Sequence, residues 1–391
     1  MSKQSCCRHL PVSAVRLSCV AIKWDVVFQP GRASPRLQRF ILTAPTLGYS
    51  CPDCDRDTTE VFPAATIGTR RKHTLWSIPG FRRSAGGTVR EHLKFFTRAI
   101  FNPNTSRRWL AAWNASPRLS ELATLQPGVL RKVYRSYLFH GLTSAQRVDI
   151  ILSHYHFVQN QGMWDLVIQA AQSRVQLAQF TGRSGAPYQI SLEAVLCMER
   201  EGELVLQMIS EDRALYSVAF TFVYNNGLPH IAVGCLQGGR DEGVAHQIRT
   251  VTKDLFGLRP KTMLMRVLRQ IGVAFGCGSL VLVENANRVM RKQIRQKKVA
   301  ANYDQSWNEL GAKRLPDGNF SWSCALLEAP DLALIPSNKR AQSRRKYALL
   351  FEVANTVVTA MSVPNGALMA NNDRGPSPSI GSPSHHYPTD A

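Results

Sequence analysis

A glycine-rich turn with basic residues nearby contains the residue types that bind an anionic ligand. The turn follows an apolar run ending at Leu236 and precedes a segment with helical spacing. Glycines let a ligand approach the backbone closely, and the free N–H groups at a helix start attract anions with help from the helix dipole. We therefore predict a site for a phosphate-bearing ligand at Gln237, Gly238, Gly239, Arg240, Gly243, Ala245, Arg259 and Lys261.

Some charges around this turn favour phosphate binding and others oppose it. Arg240, together with Arg259 or Lys261 from across the turn, would add charge-assisted hydrogen bonds to a phosphate. Asp241 and Glu242 place negative charge beside the same pocket, which lowers affinity unless both side chains point to solvent. The other interpretation is therefore a plain surface turn, followed by a second turn that only separates two helices.

The cysteines and histidines do not predict a metal site. Nine cysteines in a chain without a recognisable secretion signal are expected to be reduced thiols. Cys51 and Cys54 have the spacing of a zinc knuckle, but no second pair of ligands follows them. His154 and His156 are two residues apart, so they would not share a helix face, and we expect both to be structural.

The chain is strongly basic. It has 391 residues, of which 44% are hydrophobic, and a formal net charge of +21. Such a charge favours anionic partners, but no recognition helix, zinc finger or RNA-binding aromatic pair is recognisable, so no specific nucleic acid is predicted. No apolar run is long enough to span a membrane. We expect a cytoplasmic protein, with peripheral attachment to the inner membrane as the alternative.

Composition divides the chain into three parts. Residues 1–88 are basic, contain scattered proline and glycine, and show no sustained period, which predicts a disordered region or an upstream extension of the reading frame. Residues 90–358 show regular periods and form the predicted folded domain. Residues 361–391 are rich in serine, proline, glycine and asparagine, which is typical of a disordered tail.

The predicted domain is α+β, with a helical N-terminal layer and a central, mostly antiparallel mixed sheet. Helical spacing dominates residues 90–157. Between residues 175 and 236 the period becomes two, in runs joined by short turns, so neighbouring strands must be antiparallel. Helical segments at 243–256 and 262–275 then lead to a strand at 279–284, and a helical crossover of this kind joins parallel neighbours.

An ordered set of motifs between residues 90 and 357 resembles the VirK/YbjX family of Gram-negative bacteria. The motifs are Tyr134-Arg-Ser-Tyr-Leu138, Arg147 with His154-Tyr155, Arg200-Glu-Gly-Glu-Leu204, Val233-Gly-Cys-Leu-Gln-Gly238, Thr252-Lys253, Gly257-Leu-Arg-Pro-Lys261, Tyr303-Asp304, Trp307 with Glu309-Leu-Gly311, and Lys339-Arg340. The resemblance implies a cytoplasmic role in envelope maintenance or virulence, including tolerance of cationic antimicrobial peptides, and assigns no catalytic residue. The chain departs from the family pattern in its long basic N-terminal region and at residues 284–287.

The predicted strand order also resembles the acetyltransferase (GNAT) fold, in which a meander ends in a strand whose following turn and helix start bind the pyrophosphate of acyl-CoA. Arg240-Asp-Glu-Gly243-Val-Ala245 matches the short RxxGxA signature of that fold. The resemblance implies acyl-CoA as cofactor and an acyltransferase that modifies an envelope-related substrate. The alternative function is a non-enzymatic accessory protein whose basic surface binds anionic lipid or a protein partner.

Three residues are candidates for catalysis of such a transfer. Tyr303 follows the last core strand, where the GNAT fold often carries a tyrosine that protonates the leaving thiolate. Glu201 and Glu203 stand at a strand turn and would act as the base if burial raised the pKa of a carboxyl group. The competing interpretation is that the two glutamates close a tight turn and that Tyr303 is a packing residue.

Overall fold

The computed structural model describes residues 72–74, 97–195, 198–239, 243–289 and 301–362. Apart from residues 72–74 and 361–362, the two flanks that we predict to be disordered lie outside this described part of the chain. The described residues form the predicted α+β architecture, with a helical layer that precedes a mixed sheet.

The helical layer begins with short helices started by proline. Its elements are α1 (Pro103–Ala115), α2 (Pro117–Leu125), a 3₁₀ helix (Pro127–Tyr134), α3 (Ser144–Asn160) and α4 (Trp164–Gln172). Proline suits a helix start because its missing N–H is not needed there. Thr143 caps α3 in a capping box with Gln146, which satisfies two backbone N–H groups and fixes where the helix begins.

The described residues form one eight-stranded sheet in the order β1-β2-β3-β4-β5-β6-β8-β7. The strands are β1 (Val175–Thr181), β2 (Pro187–Ala194), β3 (Leu204–Ser210), β4 (Arg213–Asn225), β5 (Leu228–Gly238), β6 (Ser279–Leu282), β7 (Lys313–Arg314) and β8 (Phe320–Ser323). All described pairs are antiparallel except β5 with β6, which is parallel. The predicted meander and parallel crossover are therefore confirmed.

Helices cover the sheet and make the crossover. Between β5 and β6 lie α5 (Val244–Asp254) and α6 (Pro260–Ala274), and later elements are α7 (Tyr303–Glu309) and α8 (Ser337–Ser362). Helix α3 packs on β4, α4 on β1 and β2, α6 on β3 to β6, and α8 on α6 and β1. Every residue of β3 is buried, so both faces of the central sheet are covered.

A buried ion pair joins the helical layer to the sheet. Lys132 Nζ, in the 3₁₀ helix, lies 2.9 Å from Glu203 Oε1 beside the start of β3, and both side chains are almost fully buried. The Tyr155 hydroxyl of α3 donates to the other Glu203 oxygen at 2.6 Å. The Tyr137 hydroxyl lies 3.0 Å from Thr221 Oγ1. Each charge is thus paired, which burial of a charge requires.

A buried histidine lies close to this ion pair. The backbone N–H of Phe222 donates to His154 Nδ1 at 3.2 Å, and the two rings are stacked. Burial lowers the pKa of His154 to about 4, an effect that Glu203 opposes and Lys132 reinforces. The imidazole is therefore neutral at physiological pH, in agreement with the structural role that we predict for it.

We expect Lys132→Met to lower the free energy of unfolding by about 3–5 kcal/mol, because it leaves the Glu203 carboxylate buried without its cation. The double variant K132M/E203Q should recover much of the loss, since it removes both charges and keeps an acceptor for Tyr155. Urea denaturation measures both. The control is Arg174→Met, which breaks a more exposed ion pair with Glu193 and should cost less than about 1 kcal/mol. Equal losses for K132M and R174M would contradict the prediction.

We expect the stability of the protein to fall as the pH drops from about 6.5 to about 4, because the unfolded His154 binds a proton that the folded one does not. The contribution of this residue is on the order of 3 kcal/mol over that window and is fully present above it. Urea denaturation across the pH range measures the slope. In His154→Asn, which keeps an acceptor for Phe222 and does not titrate, the slope should be shallower, and an unchanged slope would reject the assignment.

Candidate functional site

The sheet opens where β5 runs past the end of β6. The parallel pair matches Ile231 with Leu280 and Val233 with Leu282, and the Val283 N–H still donates to the Val233 carbonyl at 3.1 Å. Strand β6 ends at Leu282, whereas β5 continues to Gly238. One edge of residues 234–238 is therefore not paired with β6, and an opening forms at the centre of the sheet.

A β-bulge marks the start of this opening. The pairing of β5 with β4 passes from Val233–Phe220 to Cys235–Ala219, which leaves Gly234 as the extra residue. A Cβ atom at Gly234 would overlap the Glu201 carbonyl oxygen. Glycine is thus required here because the turn before β3 packs directly on the strand, and bulges of this kind are common beside functional sites.

Tyr303 fills part of the opening. Its hydroxyl accepts the Leu236 N–H at 2.7 Å and donates to Cys235 Sγ at 3.2 Å. The Arg288 guanidinium lies 3.7 Å from the centre of the tyrosine ring. Burial and then the neighbouring Cys235 raise the pKa of Tyr303 well above 10. The hydroxyl is therefore protonated at neutral pH and points a donor at a sulfur atom.

Cys235 lies between Tyr303 and the turn before β3. Burial raises the pKa of its thiol to about 12, and the Glu201 carboxylate adds to this shift. A thiol with such a pKa is uncharged at neutral pH and is a weak nucleophile. The arrangement suits a packing role for Cys235 better than covalent catalysis.

A cationic cavity of about 510 Å³ lies beside the end of β5. Among the described residues, its cationic lining side chains are Arg259, Lys261, Arg266 and Lys346, with Leu236 on the strand side. Lys261 Nζ lies 2.8 Å from Glu309 Oε2, and this contact is the main cause of the lowered pKa of Glu309.

The start of α6 adds to the positive potential of this cavity. The helix begins at Pro260 after the N-cap residue Arg259, and both the cap and the first turn line the cavity. A helix N-terminus carries partial positive charge. Among the described residues Glu309 is the single carboxylate against the cations of the lining, so the cavity suits a phosphate-bearing ligand.

A second cavity, of about 480 Å³, lies by the last residues of β5, and because most of its described lining residues carry polar or charged side chains we call it the polar cavity. It includes Glu201 from the turn before β3, Ser217 from β4, and residues 237–239. Glu201 therefore lies in the same cavity as the end of β5. Glu203, two residues later, is instead buried in the ion pair with Lys132.

The structure divides the predicted binding residues between these places. Arg259 and Lys261 line the cationic cavity, and Gln237, Gly238 and Gly239 line the polar one. Arg240 lies outside the described residues, and of Ala245 only the backbone, in the first turn of α5, is described.

Gly243 occupies the predicted helix start but not the cationic cavity. It is the exposed N-cap of α5 with a left-handed φ of 89°, and a Cβ there would meet no atom within 4 Å. The helix start that lines the cavity beside Leu236 belongs to α6. The physical reason is the chain path, because α6 is the helix that leads directly into β6.

Two cationic residues of the site could not be identified from the sequence, because neither belongs to a turn or a motif. Arg266 lies within α6, and Lys346 comes from α8, whose packing on α6 brings it to the cavity. The glycine at position 234 inside an apolar strand was a usable signal, since such a residue often indicates a bulge. No cluster of potential metal ligands is found among the described residues.

The chain is similar to several proteins in sequence. The family model described as "Protein of unknown function (DUF535)" matches residues 85–359. The uncharacterized protein YbjX of Escherichia coli (strain K12) is 24% identical over 304 residues, which cover 76% of this chain and 89% of that protein. An uncharacterized protein of Haemophilus influenzae is 22% identical over 273 residues, covering 68% of this chain and 88% of its own length.

The chain is also similar to solved structures of one protein. That protein is a cAMP-binding acyltransferase from Mycobacterium smegmatis, and one of its structures has 13% sequence identity and a TM-score of 0.21. The match covers 57% of this chain and 63% of that one.

We expect Tyr303→Phe to destabilise the protein by about 1–3 kcal/mol, because the Leu236 N–H would lose its acceptor in the interior. Thermal or urea unfolding measures the loss. The matched control is Tyr347→Phe, whose hydroxyl accepts from Arg266 at a half-buried position and should matter less. A Tyr303→Phe variant as stable as the wild type would show that water or another group replaces the hydroxyl.

Proposed function

The chain belongs to the DUF535 family of proteins of unknown function, and we propose that it is a GNAT-like acyltransferase that uses acyl-CoA. Its acceptor would be an envelope component or a protein that acts on the envelope, in support of envelope maintenance, virulence or tolerance of antimicrobial peptides. The observation that carries the proposal is the opening between β5 and β6 with a cationic cavity beside it. A meander followed by a parallel crossover places this opening at the centre of the sheet.

The cationic cavity is the proposed place for the phosphates of the donor. Arg259, Lys261, Arg266 and Lys346 offer charge-assisted hydrogen bonds, and the start of α6 offers a positive helix end. Leu236 lines the same cavity and stands at the edge of the opening. A ligand with its phosphates in the cavity would therefore extend its thioester arm along the free edge of β5.

Acyl transfer requires a hydrogen-bond donor for the thioester oxygen, an acid for the leaving sulfur and a base for the acceptor. The acceptor's amine or hydroxyl attacks the thioester carbonyl carbon, the C–S bond breaks, and the sulfur leaves as a thiolate. The thioester oxygen would take over the Leu236 N–H, which the Tyr303 oxygen now accepts. The Tyr303 hydroxyl, which already donates to the sulfur of Cys235, would protonate the leaving thiolate.

Glu201 is the proposed base for the acceptor. It lines the polar cavity with Gln237, Gly238 and Gly239, so an acceptor held there would approach the end of β5. The acceptor's proton would pass to the Glu201 carboxylate. Glu203 does not take part in this scheme, because Lys132 and Tyr155 already occupy its two oxygens. Roles for Arg240, Gly243 and Ala245 stay predictions.

We expect acetyl-CoA or a longer acyl-CoA to raise the melting temperature of the wild-type protein. The variant R259Q/R266Q should bind CoA at least tenfold more weakly, because two charge-assisted hydrogen bonds are lost. The control R107Q/R213Q removes the same charge at exposed positions elsewhere and should bind normally. No shift with any CoA at concentrations far above a micromolar dissociation constant would exclude the proposal.

Turnover separates a transferase from a protein that only binds CoA. Glu201→Gln should lower kcat with little change in CoA affinity. The decrease in kcat should be smaller at high pH, where the acceptor loses its proton without help from a base. The measurement is release of free thiol from acyl-CoA with purified envelope fractions as acceptor. CoA binding without thiol release would favour the non-enzymatic alternative.

A further inference from the structure

We infer that the loop before α8 and the N-terminal half of α8 form a docking surface for an anionic lipid bilayer. The surface consists of residues 324–345 and combines exposed leucines with exposed cations. It goes beyond the proposed transferase activity and does not depend on it. No helix in the described part of the chain has the length and apolar character needed to cross a membrane.

Two leucines of this surface are held in exposed positions. Leu326 is 69% exposed and Leu334 is 85% exposed. The backbone around Leu326 is fixed, because Gln270 of α6 binds both the Ala325 carbonyl and the Leu327 N–H. Leu334 lies in a short 3₁₀ helix (Leu332–Leu334) capped by Asp331. Rigid exposure of large apolar side chains has a solvation cost that a bilayer interface would remove.

A group of cations follows the leucines directly. Lys339, Arg340, Arg344 and Arg345 are exposed on the first turns of α8, and Arg340 Nε donates to the Ile335 carbonyl next to Leu334. Glu328 and Asp331 in the preceding loop are the opposing charges on this surface. The first turn of α8 contains no acidic residue. Cations near a helix N-terminus oppose the helix dipole, so an anionic partner would stabilise this arrangement.

Charge complementarity and the exposed leucines together favour a lipid bilayer as the partner of this surface. An anionic lipid surface attracts lysine and arginine and accepts apolar side chains at the level of its headgroups. Nucleic acid would use the cations but would gain nothing from two exposed leucines without aromatic rings. The surface adjoins the cationic cavity, since Lys346 lines that cavity and Gln342 packs near Gly257.

The test is co-sedimentation of the full chain with vesicles of phosphatidylcholine alone or mixed with phosphatidylglycerol. We expect binding to the mixed vesicles only. R344Q/R345Q should lower the affinity by about thirtyfold, since each cation near an anionic surface contributes about fivefold. R107Q/R213Q removes two exposed cations elsewhere and should change it less than about threefold. Circular dichroism and melting curves of each variant verify that it is folded.

Substitution of the leucines gives a second and independent test of the inference. L326S/L334S should weaken binding to the mixed vesicles about tenfold or more, whereas Leu228→Ser, at an exposed position on the β4–β5 hairpin, should not. Equal effects of the two arginine pairs would overturn the inference, because they would indicate attraction by net charge alone. So would full vesicle binding by L326S/L334S, or RNA binding that depends on Arg344 and Arg345 while vesicle binding does not.

Discussion

The buried ion pair between Lys132 and Glu203 positions the parts of this structure relative to one another. The two residues are 71 positions apart, and neither charge is stable in the interior without the other. Tyr155 of α3 donates a hydrogen bond to the same carboxylate. The ion pair and this hydrogen bond therefore tie the 3₁₀ helix and α3 to the start of β3. The turn that adjoins Glu203 also packs on β5, where the Glu201 carbonyl lies against Gly234.

The topology was accessible from sequence because its signals are local. Alternating apolar residues, short turns such as Asn226-Gly227 and a long helical crossover each depend on neighbours in the chain. The buried ion pair could not be predicted from the sequence. Lys132 lies in a segment that reads as a basic and aromatic surface, yet Lys132, Tyr134 and Tyr137 are all buried. Their partners explain why, because Glu203 pairs with Lys132, Ser106 accepts from Tyr134, and Thr221 shares a hydrogen bond with Tyr137.

Some cationic residues of the candidate site were identifiable from the sequence, but their arrangement in space was less so. Arg259 and Lys261 lie in a cationic cavity beside the end of β5, whereas Gly243 starts a helix that lies outside that cavity. A sequence shows that two helix starts follow a strand, but not which one returns to the strand's end. Arg266 and Lys346 reach the cavity through packing of α8 on α6, a contact that no local pattern encodes.

The packing of α8 against β1 has a consequence for synthesis of the protein. Helix α8 is the last element of the described chain, and it contacts both the first strand and α6. While the ribosome is still adding residues 337–362, β1 is an edge strand whose apolar side chains lack this cover. Such an incomplete sheet is prone to wrong association. The nascent chain is therefore expected to need protection by a chaperone until α8 emerges.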